Sequence, residues 1–74
     1  IVRVYTKSPG KPADRDTPFT VRRGDTVLDV ARQVHRDLAA GLKFARIWGR
    51  NVYDGQQCGP DHAVEDGDVV ELHL

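Results

Sequence analysis

The clearest pattern of apolar and polar positions lies between residues 26 and 41, where apolar side chains recur every three or four residues. At 100° per residue, these side chains fall within an arc of roughly 160°, and charged or polar residues occupy the remainder. The arc contains Val27, Leu28, Val30, Ala31, Val34, His35 and Leu38. The pattern predicts one amphipathic helix, which needs a sheet or another helix to cover its apolar face.

Two local signals mark the ends of this predicted helix. Thr26 and Asp29 have the spacing of a capping box, with Asp in place of Glu, in which the two residues satisfy each other's backbone N–H groups. Gly41 follows two alanines, and glycine readily adopts the left-handed conformation that closes many helices. We therefore expect the helix to begin after Thr26 and to end with a left-handed cap at Gly41.

Alternating apolar and polar residues, rich in β-branched side chains, predict strands on both sides of the helix. The predicted strands are residues 1–6, 19–21, 43–48 and 69–74, with a further short strand at Val52 and Tyr53. Three prolines and a glycine make residues 7–18 an irregular loop, and residues 54–61 have turn chemistry. The loop is longer than most hairpin connections, which makes it a candidate functional feature.

This order of elements predicts an α+β protein with a β-grasp, or ubiquitin-like, fold, in which one helix packs on a mixed sheet of four to five strands. The first and last strands would lie side by side and parallel in the middle. If Ala45 and Ile47 point at the helix, alternation directs their neighbours to the opposite, outer face of the sheet. The candidate binding residues on that outer face are Arg3, Tyr5, Arg46, Trp48 and His73. We expect Arg3 and Tyr5 to lie opposite Glu71 and His73.

The composition limits the class of protein. Seventy-four residues suffice for one domain with a modest core. The single cysteine, Cys58, excludes an internal disulfide, and with three scattered histidines it does not make a structural zinc site. No apolar run approaches the roughly 18 residues that a membrane span requires. We therefore expect a monomeric, soluble, cytoplasmic domain without metal or other cofactor, cut from a longer protein.

The net charge of zero hides an asymmetry along the chain. Residues 1–50 contain all eleven Lys and Arg with five acidic residues, a net +6, whereas residues 51–74 contain six acidic residues and no Lys or Arg. Whether the folded chain is electrically two-sided depends on how the strands interleave. A second basic cluster, Arg32 and Arg36 on the helix with Arg22 and Arg23 before it, is interpreted as a solvated helix face.

Other short motifs have simpler explanations than catalysis or adhesion. Residues 23–25 spell the integrin tripeptide Arg-Gly-Asp, but immediately before a helix they are interpreted as a turn. His35 and Asp37 are two positions apart and project to different helix faces. Cys58 has no neighbouring base in the sequence that would activate a nucleophile. The last three residues, 72–74, are not the Gly-Gly end that ubiquitin-like modifiers use, so no catalytic residue and no modifier function is predicted.

Several segments closely resemble a TGS domain. They are residues 23–31, 34–38, 44–49 and 64–70. The Pro-Gly-Lys-Pro motif at residues 9–12, Trp48-Gly49 and the Gly-Pro-Asp-His motif at residues 59–62 look most like the C-terminal TGS domain of developmentally regulated GTP-binding proteins. At Gln57 and Cys58 the sequence departs from the family pattern, in which a basic residue is followed by an apolar one.

The resemblance implies a single non-catalytic domain, residues 1–74, attached to a P-loop GTPase that is concerned with translation. The chain itself has no Gly-x-x-x-x-Gly-Lys-Ser/Thr phosphate loop, so it does not bind GTP by that mechanism. Two functions remain open for the outer face. Aromatic rings beside arginines are typical of proteins that contact RNA, so the first function is contact with RNA or the ribosome. The same residues would also suit docking against the GTPase domain or a regulatory protein.

Overall fold

The computed structural model describes the backbone of residues 1–74 and every side chain except that of Leu38. The elements are β1 (Val2–Lys7), β2 (Asp14–Val21), α1 (Val27–Val34), α2 (Arg36–Ala40), β3 (Phe44–Trp48), β4 (Gln56–Cys58) and β5 (Val69–His73). The strands form one sheet in the order β2-β1-β5-β3-β4, in which β1 and β5 are parallel and the other neighbours are antiparallel. The predicted β-grasp arrangement, with the first and last strands parallel in the middle, is confirmed.

The core lies between α1 and the face of the sheet that α1 covers. Val4, Ile47 and Val70 contribute fully buried side chains from three adjacent strands. Val27 and Val30 contribute fully buried side chains from α1. Burial of each such side chain stabilises the fold by about 1.5 to 3 kcal/mol relative to leaving it exposed. The inward-facing apolar side chains of the strands and those of the helix therefore pack together in one layer.

The start of α1 follows the predicted capping box. The N–H of Thr26 donates to Oδ2 of Asp29 at 2.8 Å, and the Thr26 hydroxyl donates to the same oxygen at 3.1 Å. The backbone hydrogen bond from Thr26 lowers the pKa of Asp29. The next N–H groups, of Val27 and Leu28, donate to the carbonyls of His62 and Pro60, both at 2.9 Å. The first turn of the helix is therefore anchored to the loop that precedes β5.

The prediction of one continuous helix from Thr26 to Gly41 is wrong, because the helical segment ends and restarts at His35. His35 has extended dihedrals, φ −170° and ψ 130°. Its ring Nδ1 accepts from the N–H of Asp37 at 3.1 Å, so the imidazole caps the start of α2. The left-handed cap expected at Gly41 stays a prediction.

The predicted apolar arc is only partly confirmed. Its buried members are Val27, Val30 and Ala31. Leu28 and Val34 are half-buried, His35 is exposed, and the side chain of Leu38 lies outside the described part of the chain. The arc assumed one uninterrupted helix, whereas α1 ends at Val34 and the extended backbone of His35 lies outside it.

Two strand boundaries differ from the sequence predictions. β2 begins at Asp14, inside the predicted loop, because pairing with β1 resumes at Thr6 and Asp14 beyond an irregularity between Val4 and Thr6. β2 is an edge strand, where a proline such as Pro18 is tolerated. Val52 and Tyr53 do not form the expected strand. Instead Gln56–Cys58, within the predicted turn, pairs with β3 and buries the Cys58 side chain.

Candidate functional site

The outer face of the sheet is organised in rows by the register of its strands. Parallel pairing of β1 with β5 sets Tyr5 opposite Val69 and Lys7 opposite Glu71. Antiparallel pairing of β3 with β5 sets Trp48 and Arg46 opposite the same two residues of β5. We call Tyr5, Val69 and Trp48 the aromatic row, and Lys7, Glu71 and Arg46 the charged row. As predicted, Arg46 is exposed while its neighbours in β3 are buried beneath α1.

The expected register between β1 and β5 is wrong. The sequence predicts Glu71 opposite Arg3 or Tyr5, whereas the structure places it opposite Lys7. Arg3 lies at the beginning of β1, where its N–H donates to Oδ1 of Asp66 at 2.9 Å and its carbonyl accepts from Gly67 at 2.8 Å. These bonds fix the start of β1 to the turn before β5. Alternation predicts the face of the sheet on which a residue lies. It does not determine how far one parallel strand is shifted along the other.

The charged row holds a buried carboxylate. Glu71 is only 5% exposed, although it lies on the face that α1 does not cover. Its Oε2 accepts from Nζ of Lys7 at 2.5 Å, and its Oε1 lies 2.5 Å from Nε2 of His73. The hydrogen bond from Lys7, with a contribution from His73, lowers the pKa of Glu71 despite its burial. The ring of His73 stacks on Phe44, with centroids 4.5 Å apart.

The position of Glu71 shows how the basic and acidic halves of the sequence are arranged in the sheet. β5 comes from the acidic half and lies between β1 and β3, which both come from the basic half. Glu71 therefore lies between Lys7 and Arg46 and compensates positive charge at the centre of the outer face. The guanidinium of Arg46 extends the other way, and its Nη1 donates to the carbonyl of Gly55 at 3.2 Å. The outer face is thus cationic at its margins and compensated at its centre.

The aromatic row is partly covered by its own neighbours. Trp48 lies on the outer face, as predicted, and is half-buried. Nζ of Lys7 lies 5.3 Å from its ring centroid, and a Cβ at Gly55 would lie 3.6 Å from the ring. On the other side of the row, Cζ of Arg15 lies 5.4 Å from the ring centroid of Tyr5. Each ring therefore carries a cation at the distance of a cation–π contact.

The structure brings together four of the five sequence-predicted site residues. Tyr5, Trp48 and Arg46 surround the middle of β5, and His73 joins them through Glu71. Arg3 lies farther along β1, beside the turn at Asp66.

Sequence reasoning missed three contributors, which are Lys7, Arg15 and Phe44. Extending the alternation of β1 by one residue would have placed Lys7 on the outer face. Arg15 lies in the predicted irregular loop, and no local signal in the sequence shows that it belongs to β2. Phe44 lay in a predicted strand, but its stacking on His73 depends on the register between β3 and β5.

Two further buried ionisable groups among the described residues, Cys58 and Asp68, lie inside the domain. Burial raises the pKa of Cys58, and the nearby charge of Asp68 adds to the effect. A raised pKa disfavours the reactive thiolate. Burial likewise raises the pKa of Asp68, whose Oδ2 accepts from the N–H of Glu65 at 2.8 Å. Asp68 therefore stabilises the turn that leads into β5.

Among the helices that the structure describes, none is long and apolar enough to cross a bilayer.

Comparison with known proteins places the chain in a family. A model of the TGS domain matches residues 2–74. The chain is 42% identical to developmentally-regulated G-protein 2 of Arabidopsis thaliana, over 97% of this chain and 19% of that protein. It is 40% identical to GTP-binding protein 1 of Schizosaccharomyces pombe, over 97% of this chain and 20% of that protein. It is 39% identical to an uncharacterized GTP-binding protein of Methanocaldococcus jannaschii, over 96% of this chain and 18% of that protein.

The chain thus spans about a fifth of the length of the curated relatives it matches. The resemblance found in the sequence, to the TGS domain of developmentally regulated GTP-binding proteins, is confirmed. TGS domains have the β-grasp fold and are non-catalytic modules of GTP-binding proteins. The chain belongs to the TGS domain family.

Proposed function

We propose that this TGS domain is an accessory module of a cytoplasmic, translation-associated P-loop GTPase and that it contacts RNA or the ribosome through the outer face of its sheet. The names of the relatives support the GTPase part of this proposal. The 74 residues contain no phosphate-loop motif, so nucleotide binding belongs to other parts of such a protein. The domain would then supply a contact surface.

The observation that carries the RNA assignment is the placement of exposed arginines beside partly exposed rings. Arg15 and Arg46 are exposed and flank the aromatic row from β2 and β3. Proteins that bind single-stranded RNA on a sheet stack bases on rings and pair phosphates with such cations. Glu71 does not oppose this binding strongly, because it is buried and already bonded to Lys7 and His73.

A second candidate function is docking of the GTPase domain or of a regulatory protein on the same surface. The specific observation in its favour is the compensated centre of the outer face, where Val69 is buried, Trp48 is half-buried and Glu71 is paired with Lys7. Protein interfaces have such weakly charged centres with aromatic residues and a polar rim. The two functions differ in their dependence on salt, since phosphate contacts weaken steeply as salt rises.

The test is chemical-shift mapping of the 74-residue chain with single-stranded and hairpin RNA at low and at physiological salt. We expect shifts on the outer face and a dissociation constant in the micromolar range or weaker, about what a few phosphate contacts and one or two stacked bases supply. Arg46→Gln should weaken binding and reduce its salt dependence. The matched control is Arg32→Gln, which removes an exposed arginine of α1 and should leave binding unchanged.

Shifts confined to α1 and α2, or equal losses in Arg46→Gln and Arg32→Gln, would contradict RNA contact through the outer face. Binding of a separately produced GTPase domain that persists at high salt, with shifts on the outer face, would instead support the docking function.

A further inference from the structure

A cleft of about 240 Å³ opens on the outer face next to the aromatic row. Its floor is Val69, which is 5% exposed, and its sides include Trp48 of β3 and Arg15 of β2. Lys7 and Ala13 complete the lining. The gap exists because a small β-branched side chain separates two large rings. Tyr5 and Trp48 lie on either side of Val69 in the row, two strand spacings or about 10 Å apart at the backbone.

The two sides of the cleft are both surfaces on which nucleobases stack. Trp48 offers an aromatic ring over which Nζ of Lys7 lies, 5.3 Å from the centroid, and a stacked base takes this place when Lys7 turns to the phosphate. On the other side the guanidinium of Arg15 lies over the ring of Tyr5, 5.4 Å from its centroid, so that it is Arg15 that lines the cleft. RNA-binding proteins stack unpaired bases on aromatic rings and on guanidinium planes alike. The volume is below the roughly 300 Å³ at which pockets for drug-sized ligands begin, and it suits one planar ring system.

The positively charged side chains at the cleft favour an anionic ligand. Of the described side chains that line it, two are cations and none is acidic. The ammonium of Lys7 has three N–H donors, and Glu71 occupies one of them, so donors remain for a second acceptor. Glu71 itself is buried beneath this contact. A phosphate beside a stacked base meets both requirements, whereas an uncharged apolar peptide would offer no acceptor to the remaining donors of Lys7.

The cleft also gives the long β1–β2 connection a role. Residues 8–13 join the two strands, and Ala13 at the end of this segment lines the cleft. The segment turns where the N–H of Lys11 donates to the carbonyl of Ser8 at 3.0 Å, next to Gly10 with φ +78°. Lys11 is exposed at the tip. A strand of RNA that leaves the cleft along this edge would pass a third cation.

We propose that this cleft binds one unpaired base of a single-stranded RNA, stacked between the Trp48 ring and the Arg15 guanidinium, with the adjoining phosphate bonded by Lys7. This inference rests on the proposed RNA contact and names the part of the RNA that is recognised. Double-stranded RNA does not fit the cleft, because its bases are paired and stacked within the helix.

Trp48 is the only tryptophan of the chain, so its fluorescence reports directly on the cleft. The experiment titrates the 74-residue chain with hexaadenylate and with a blunt twelve-base-pair RNA duplex at low salt. We expect hexaadenylate to quench Trp48 in a saturable way and the duplex to leave the emission nearly unchanged. Equal quenching by both RNAs would overturn the assignment of the cleft to an unpaired base.

Variants at Arg15 separate stacking from charge. Arg15→Gln should weaken hexaadenylate binding on the order of tenfold, which is within the range for losing one stacked base. Arg15→Lys keeps the charge but lacks the planar group and should be similarly weakened. Arg32→Gln, on α1, is the matched control and should bind as the original chain does. Arg15 is exposed, and equal thermal midpoints of all four proteins establish that the fold is retained.

The possible outcomes distinguish this inference from the function on which it rests. RNA binding detected by chemical shifts, together with unchanged Trp48 emission or full affinity in Arg15→Lys, would overturn the cleft and leave outer-face RNA contact standing. The absence of any RNA binding would overturn both. Loss of Trp48 quenching in Arg15→Gln and Arg15→Lys, but not in Arg32→Gln, would support the stacked base.

Discussion

Residues on the two faces of the sheet are buried for different reasons. On the inner face, Val4, Ile47 and Val70 are fully buried beneath α1, and each could be assigned from its own strand by alternation. On the outer face, burial depends on pairs formed between strands. Glu71 is as buried as a core residue because Lys7 and His73 contact it, whereas Arg46 in the neighbouring strand is exposed. The inner face is stabilised by apolar packing, and the outer face by specific contacts among polar and aromatic groups.

The largest expected effect is on the inner face. Ile47→Ala should lower the free energy of unfolding by about 2 to 5 kcal/mol, because it removes a fully buried side chain and leaves a cavity. Arg46→Ala, one residue earlier and on the outer face, should change it by less than about 0.5 kcal/mol. Urea unfolding of the two variants measures both effects. Similar losses would mean that the two faces contribute to stability in the same way.

An intermediate effect is expected where the two faces meet at the end of β3. A Cβ at Gly49 would overlap with Oδ1 of Asp68. Asp68 is buried, and its Oδ2 accepts the N–H of Glu65. Gly49→Ala should therefore cost about 1 to 3 kcal/mol of stability, since Asp68 must move. The double variant Gly49→Ala with Asp68→Ala should lose less than the sum of the single losses. Additive losses would show that the two residues do not compete for space.

A smaller effect is expected on the outer face. Glu71→Gln replaces the carboxylate of a buried pair by an amide and should cost about 1 to 2 kcal/mol at neutral pH. The pKa of Glu71 lies below its ordinary value of 4.5 in the folded chain, chiefly because of Lys7, so the unfolded chain binds the proton first as the pH falls. The stability that Glu71 contributes is present above about pH 4.5 and is lost below it.

The check is the pH profile of the unfolding free energy. The original chain should lose stability below about pH 4.5, and Glu71→Gln should lose less over the same range. Some loss remains in the variant, because Asp29 also has a lowered pKa. Identical slopes in the two proteins would show that Glu71 is not stabilised by its partners and would remove the contrast between the two faces.

The sequence predicted those parts of the fold that depend on local pattern. The alternation in β1, β3 and β5 and the Thr26–Asp29 capping box identified the β-grasp fold, and the inward orientation of Ala45 and Ile47 is confirmed. The helix break was missed because a histidine that caps a helix through its ring looks the same in sequence as one at the edge of a core. β4 was missed since its three residues pair only once β3 is in place.

The candidate site could be predicted only to the level of a face. Four of its five residues lie together, but the partners of each depend on how far β1 slides along β5. That register is fixed by contacts distant in sequence, such as those of Arg3 with Asp66 and Gly67. The Lys7–Glu71 pair joins residues 64 positions apart, and neither residue has a neighbour in sequence that indicates the other.

The parallel pairing of β1 with β5 also determines when the domain can fold during its synthesis. β5 lies between β1 and β3, so without it the sheet consists of two separate two-stranded hairpins, β1 with β2 and β3 with β4. Such hairpins are marginally stable on their own. During synthesis β1 emerges about sixty residues before its partner, and closure of that long interval makes folding slower than it is for proteins rich in local contacts. A nascent chain halted before Val69 therefore presents unpaired strand edges, and the domain becomes a cooperative unit only when β5 is available.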